Sequence, residues 1–420
     1  MSSTTDELIY DWNRVGAEAG SRPRAVTFYD ETLRDGLQHP TACNPKIEEK
    51  LRILHLMEDL EIDAVDLGLP GSGRQIAEDV TRLAQEISRC RMKIRPNCAA
   101  RTVRADIQPI IEISQSVGIP IEVCTFIGSS SIRQYAEDWT LDMMMRAAED
   151  SVRFAIQNGL PTMFVTEDTV RAHPDTLRKL YGCALDSGAT ALCVCDTVGH
   201  AIPQGAAGVV RFVVEEILKT QRSSIRVDWH GHMDRGLGVI NSIAAVEAGA
   251  DQVLGCALGI GERVGNTPMD LLLVNMRLLG YIGKNLTHLK DYCETVAQAC
   301  KVSLPANYPV VGADAFRTGT GVHAVAVIKA MRKGDVELAN LVYSGVPAHW
   351  FGMEQIIEVG PMSGRSNVIH WLERHRIEPL EGLVADIFRA AKDSRRILSD
   401  AEIQAIVDAY PSKLSSGWAD

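Results

Sequence analysis

Through the first two-thirds of the chain, short apolar runs alternate with longer stretches in which apolar residues return every three or four positions. The short runs are Val26–Tyr29, Ala64–Leu69, Met92–Arg95, Ile119–Phe126, Thr162–Val165, Ala191–Cys195, Ile225–Trp229 and Gln252–Leu258. Their lengths suit strands, and the stretches between them suit amphipathic helices. Lys46–Leu60 and Asp142–Gln157 show the helical pattern. The second carries Met143, Met144, Ala147, Ala148, Val152 and Ala155 along one broad stripe. Strands alternating with helices imply βαβ units and a parallel sheet. Eight units between residues 23 and 285 predict an α/β fold closed as a (β/α)₈ barrel. A doubly wound sheet usually opens with a Gly-rich turn after its first strand, and Tyr29-Asp30-Glu31-Thr32-Leu33-Arg34-Asp35-Gly36 is not one.

After residue 285 the rhythm changes. Leu286–Lys301 reads as helical, Val311–Gly321 is Gly-rich, and Val322–Met331 is helical again. A turn-rich stretch runs to Asn367, followed by helical patterns over Val368–Phe388, broken at Pro379, and over Ala401–Ala409. The predicted organisation is an N-terminal extension at 1–22, a catalytic barrel at 23–285 and a mostly helical accessory region at 286–420. A formal charge of −11 argues against nucleic acid or an anionic membrane surface as partner. No apolar stretch reaches the roughly eighteen residues of a membrane span, and no signal peptide is evident. The ten cysteines include no CxxC pair, which points to a reduced, cytoplasmic chain. Cys193 and Cys195 share one face of a predicted strand and read as core.

The chemistry concentrates after the first and seventh runs. Asp35 follows the first; His230 and His232 follow the seventh, and their i,i+2 spacing puts both rings on one side. In a barrel these positions meet at the C-terminal face of the strands. A carboxylate and two imidazoles can hold Zn²⁺, Mn²⁺, Co²⁺ or Mg²⁺ and leave positions for an oxygen-bearing substrate such as a 2-keto acid. A histidine at a strand end can also serve only as a hydrogen-bonding group. Arg34 can aim its guanidinium at a carbonyl oxygen gaining charge, or pair with Asp35 at the surface. Gln38 offers an amide to the same region.

Several long strings carry a resemblance. DETLRDGLQ, DTVGHAIP, HGHMDRGLGVINSIAAVEAGADQV and GIGERVGNTP, with GADAFRTGTGVHA and SGRSN further on, resemble the metal-dependent family of isopropylmalate, homocitrate and citramalate synthases, related to hydroxymethylglutaryl-CoA lyase. The likeness runs over most of residues 24–367. It implies that Asp35, His230 and His232 are metal ligands, with Asn266 on or near the metal. It gives Arg34 the developing oxyanion, Gln38 and Asp66 contacts to substrate, and Thr197 the keto-acid carboxylate. Glu167 falls in the active-site network. His323 matches a histidine of the accessory region that enters the neighbouring subunit's site for acid–base chemistry, so the resemblance also implies a homodimer.

The implied reaction is a Claisen-type condensation of acetyl-CoA with a small 2-keto acid, giving a 2-substituted malate and free CoA. Such an enzyme is an acyltransferase that converts the acyl group to alkyl on transfer. The alternatives are a lyase of the hydroxymethylglutaryl-CoA type and a homocitrate synthase. Met163 stands where homocitrate synthases place an arginine for the distal carboxylate of 2-oxoglutarate, and an apolar side chain cannot answer that charge. Asp66, His39-Pro40-Thr41 and Arg74 depart from the common strings. These departures suggest a specialised keto acid such as phosphono- or phosphinopyruvate, with Arg74, Arg101 and Arg104 as candidate anion readers. Cys256, near the reactive cysteine of the lyases, reads as core. The residues after Asn367 are too few for a leucine-sensing domain.

Overall fold

Eight parallel strands follow one another around a closed barrel in sequence order. They are β1 (Thr27–Asp30), β2 (Ala64–Asp66), β3 (Arg95–Arg101), β4 (Glu122–Gly128), β5 (Thr162–Glu167), β6 (Ala191–Asp196), β7 (Arg226–Gly231) and β8 (Gln252–Gly255). Pairing of Tyr29 with Leu254 and of Asp30 with Gly255 closes the ring. The computed structural model describes residues 8–14, 24–219 and 224–411. The (β/α)₈ barrel expected from the alternating rhythm is the fold observed.

The outer layer begins with α1 (Ile47–Asp59), α2 (Arg74–Cys90), α3 (Arg104–Val117), α4 (Ser131–Ala136) and α5 (Leu141–Gln157). It continues with α6 (Pro174–Asp186), α7 (Pro203–Arg211), α8 (Gly238–Glu247), α9 (Met269–Leu278) and α10 (Leu289–Cys300). The helices form for the expected reason. In α2 the buried positions Val80, Leu83, Ala84 and Ile87 fall at i, i+3, i+4 and i+7, one stripe against the sheet. Thr140 starts α5 by accepting the backbone N–H of Met143. Within the barrel a layer of Tyr29, Cys124, Met163, Cys193 and Leu254 packs as one cluster, and Cys193 and Cys195 are buried as expected.

Two expectations are corrected. The third strand is not Met92–Arg95 but Arg95–Arg101. Pro96 and Asn97 look like strand breakers, and Cys98, Ala99 and Ala100 are too small to give a strong apolar signal, yet all five are buried. Helix α10, assigned by rhythm to the region after 285, belongs with the barrel, because the unit containing it runs over Gly20–Leu304. The Tyr292 hydroxyl donates to the Asp30 carboxylate and lies 3.2 Å from the Thr32 hydroxyl, tying α10 to the end of β1. Cys43 N–H also donates to the Cys300 carbonyl.

Among the described residues, the second unit takes in 305–411 together with 8–14. It contains β9 (Arg317–Thr318), α11 (Gly321–Arg332), α12 (Val336–Leu341), β10 (Ile356–Ile357), α13 (Arg365–Arg374), α14 (Glu381–Asp393) and α15 (Asp400–Ala409). The two short strands pair in parallel. Val368, Leu372, Val384, Ile387 and Ile403 form the core of its final helices. Of the expected extension at 1–22, only residues 8–14 are among those described. Among the described residues no helix is long and apolar enough to cross a membrane.

Candidate metal centre

The chain leaves β1 at Asp30 and turns at once. Gly36 N–H and Arg34 N–H both donate to the Glu31 carbonyl, and Gln38 N–H donates to the Asp35 carbonyl. This tight turn sets Glu31, Arg34, Asp35 and Gln38 around the mouth of the barrel. Two strands round the ring, on the other side of β8, β7 ends with His230 inside the strand and His232 one residue beyond it. Their rings meet edge to face with centroids 4.9 Å apart. One ligand atom each from Asp35, His230 and His232 fall within 4.8 Å of one another, and all three residues are buried. Both imidazole Nε2 atoms face Asp35 Oδ2, at 3.9 Å for His230 and 3.8 Å for His232.

Each ring is set differently. His230 Nδ1 lies 2.7 Å from Glu31 Oε2, which fixes the ring and leaves Nε2 toward Asp35. A carboxylate behind a histidine in this way orients it as a ligand and raises its basicity. Burial pulls the His230 pKa down, but the Glu31 charge and hydrogen bond outweigh it and carry it up to about 10. Burial and the neighbouring His230 push His232 well below its ordinary value, so that ring is neutral with a lone pair to give. Asp35 is also buried, yet Arg34, both histidines and Asn266 hold its carboxyl below the usual range.

The loop after β8 completes the wall. It clips onto the end of β7 through Thr267 N–H to the Gly231 carbonyl and Met233 N–H to the Gly265 carbonyl. The crossing is so close that a Cβ on Gly265, at φ +98°, would lie 1.7 Å from the Gly259 carbonyl oxygen; one on Gly261 would strike the Asn266 amide. Asn266 is fully buried beside the Asp35 carboxyl. Its amide NH₂ donates to the Ile260 carbonyl and the Cys256 sulfur, while its Oδ1 has no partner. Cys256 is core, as expected.

Arg34 is held by three carboxylates: Nε to Asp66 at 2.7 Å, Nη1 to Asp35 at 3.1 Å and Nη2 to Glu31 at 3.3 Å. It is therefore a half-buried, fixed cation rather than a surface ion pair. Asp66 stands behind Arg34, and burial lifts its pKa to about 6 against the pull of that guanidinium.

The centre opens into a cavity of about 330 Å³. Its polar wall includes Arg34, Asp35, Gln38, Glu167, Thr197 and the two histidines; its floor is Tyr29, Cys124, Met163, Val165, Cys193 and Leu254. Glu167, at the end of β5, has its pKa raised by burial, partly offset by Arg133 and Arg34. The Thr197 hydroxyl accepts the Asp168 N–H at 2.8 Å, leaving its own proton to donate. Glu31, Glu262 and Arg263 also line the cavity and carry no role in the sequence reading. Arg263 pairs with Asp234 at 2.8 Å and with the Thr197 carbonyl at 2.7 Å. Glu31 sits inside the DETLRDGLQ string, so the signal for it was present, but nothing in sequence tells a ligand from the residue that orients one.

Other candidates lie elsewhere. Arg74, Arg101 and Arg104 are exposed and paired with Glu78, Asp106 and Asp150, and none lines the cavity. His323 is in the second unit, on the first turn of α11, stacked on Tyr343 with centroids 4.2 Å apart. There it lines a separate space of about 220 Å³ with Thr320, Tyr343 and Gln355.

The donors fit a divalent cation. The three ligand atoms are close, buried and of the oxygen and nitrogen types that such ions take. Among the described residues His232 Nδ1 and Asn266 Oδ1 have no hydrogen-bond partner. The cavity is lined by four carboxylates, Glu31, Asp35, Glu167 and Glu262, against the guanidinium groups of Arg34 and Arg263, with Arg133 also acting on Glu167, and a doubly charged ion would answer the remaining surplus.

Comparison with known proteins agrees with this geometry. The family described as HMGL-like matches residues 25–298. Homocitrate synthase AksA of Methanopyrus kandleri is 31% identical over 392 residues, covering 92% of both chains. The 2-isopropylmalate synthase of Pyrococcus furiosus is 31% identical over 397 residues, 91% of this chain and 76% of that one. Among solved structures, the hydroxymethylglutaryl-CoA lyase of Pseudomonas aeruginosa superposes with a TM-score of 0.56 at 17% identity, over 66% of this chain and 93% of that one. The last likeness is one of fold.

Proposed function

The chain belongs to the HMGL-like family, and from that premise we propose that it is a divalent-metal synthase condensing acetyl-CoA with a small 2-keto acid. The products are a 2-substituted malate and free CoA, with one water consumed in cleaving the thioester. The observation that carries this reading is the buried Asp35–His230–His232 cluster with Glu31 fixed behind His230.

A divalent cation held by Asp35, His230 and His232 would supply Lewis-acid polarisation of the keto-acid carbonyl. The protein's own groups do the rest. Arg34, fixed by three carboxylates, presents a positive charge that needs no rearrangement as negative charge grows on the carbonyl oxygen. Thr197 and Gln38, which both line the cavity, would donate to the keto-acid carboxylate. Glu167, its pKa pushed up by burial, would serve in the proton network at the cavity wall. Asn266, buried beside the Asp35 carboxyl, helps keep it ionised.

The floor favours keto acids with a short, uncharged side chain. Met163 is buried, and the one guanidinium near it, Arg226 at 3.9 Å from its sulfur, is already engaged by Glu122 and Asp228. A second carboxylate at that depth would meet no free cation. The equal identity to a homocitrate synthase and to an isopropylmalate synthase does not choose between substrates; the floor argues for the second type. With Arg74, Arg101 and Arg104 off the cavity, a phosphono- or phosphinopyruvate would have to be read by Arg34 or Arg263. We assign His323 to acid–base work across a homodimer, and the chain to the cytoplasm.

The test is kcat/KM for CoA release across pyruvate, 2-oxoisovalerate, phosphonopyruvate and 2-oxoglutarate. The expected order places 2-oxoglutarate last. A clear preference for it would overturn the floor argument, and cleavage of a hydroxyacyl-CoA without any condensation would replace the synthase by a lyase.

A further inference from the structure

A second group of metal-ligand atoms lies outside the barrel, on the face where α1 and α2 run side by side. Glu86 and Cys90 are four residues apart on α2 and therefore share a face. His55 reaches them from α1: its Nε2 is 2.8 Å from Glu86 Oε1, and the Cys90 thiol donates to the same oxygen at 3.3 Å. One atom from each of the three lies within 4.8 Å of the others, the spread that also describes Asp35, His230 and His232. The donors differ, being nitrogen, oxygen and sulfur.

We propose that His55, Glu86 and Cys90 form a second divalent-metal site, selective for Zn²⁺ and ions of its class, with a fourth position open to water. Imidazole, carboxylate and thiolate are the ligands of zinc, whereas Mg²⁺ and Ca²⁺ take oxygen. The site therefore selects a softer ion than the barrel centre requires. Glu86 already gathers the other two side chains, its Oε1 lying against both the His55 ring nitrogen and the Cys90 thiol. Arg89 is the competitor, with Nε and Nη2 at 3.0 and 2.5 Å from the Glu86 oxygens. Its side chain is 70% exposed, and it can give up that pair to water at small cost. Binding exchanges the Cys90 S–H bond for a sulfur–metal bond and releases one proton to solvent.

The site is separate from the barrel centre. Helix α2 starts at Arg74, after the loop leaving the C-terminal end of β2, and Cys90 is its last residue, near the opposite end of the barrel. An ion there would tie α1 to α2.

Cobalt separates the two sites in one experiment on the full-length protein. A thiolate ligand gives Co²⁺ an intense near-ultraviolet charge-transfer band, which a carboxylate and two imidazoles cannot. Titration of the wild type with Co²⁺ is expected to develop this band. Cys90→Ser and His55→Ala should lose it while keeping their condensing activity, and His230→Ala should keep it while losing activity. Cys90 and His55 are exposed, so neither substitution threatens the fold. Absence of the band in the wild type, or its persistence in Cys90→Ser, would overturn the proposal.

Discussion

At the N-terminal end of the strands Arg226 answers Glu122 at 2.9 Å and Asp228 at 2.8 Å, Gln252 donates to Asp228, and Asn97 donates to Glu122. At the C-terminal end Arg34 is shared among Asp66, Asp35 and Glu31, while the Nε2 atoms of two histidines face a carboxylate almost 4 Å away. Both ends bury charge, and they do it differently. The lower cluster spends its charged groups on one another, so its carboxylates have no capacity for a ligand. Each cluster holds one amide oxygen with no partner among the described residues, Asn97 Oδ1 below and Asn266 Oδ1 above, but only the upper one leaves two imidazole Nε2 atoms and a carboxylate oxygen facing one another beyond hydrogen-bond distance. Carboxylates matched by their own guanidinium hold a barrel together; ligand atoms left unmatched mark a place where an ion can bind.

This contrast predicts that damage to the two ends will show in different measurements. The largest effect should come from His230→Ala: a loss on the order of a thousandfold in kcat, with the circular dichroism spectrum and thermal midpoint nearly unchanged. A large loss of stability in that variant would mean that the upper cluster is structural too. Arg226→Met keeps the packing of the side-chain stem but leaves Glu122 and Asp228 buried without their cation. Urea unfolding should show a loss of about 3–5 kcal/mol, with activity per folded molecule close to wild type. If activity falls and stability does not, the division between the ends is wrong.

Smaller changes sharpen the picture. Glu31→Gln keeps the shape behind His230 but removes the charge that orients it, and should weaken metal affinity by roughly 10–100-fold, read by competition with a chelating dye. Met163→Ala opens the floor by a few methylene volumes. It should move the ratio of kcat/KM for 2-oxoisovalerate over pyruvate by roughly tenfold toward the bulkier acid. An unchanged ratio would place the keto-acid side chain elsewhere.

The barrel and the triad were legible in the sequence for physical reasons. Strand and helix periods alternate cleanly, and the DETLRDGLQ and HGH strings sit at strand ends, where a barrel gathers its side chains. What could not be read depended on partners distant in the chain. Arg226 falls inside the predicted strand Ile225–Trp229, where nothing local names its partner, yet it meets Glu122, 104 residues away, inside the barrel. Glu31 gains its meaning only from His230, 199 residues on. The third strand was misplaced because Pro96 looks like a stop and its small neighbours give little apolar signal. Helix α10 was assigned to the wrong region because its anchor, Tyr292 on Asp30, is a contact that no periodicity encodes.

The central claim is that the upper cluster is a divalent-metal centre for joining acetyl-CoA to a keto acid. Its most direct test is thiol release by protein stripped with a chelator and then given back Mg²⁺, Mn²⁺, Co²⁺ or Zn²⁺ in turn, with and without 2-oxoisovalerate or pyruvate. The account predicts no free CoA from the stripped protein, and restoration by at least one ion only when a keto acid is present. Full activity in the stripped protein, or CoA release that needs no keto acid, would contradict it.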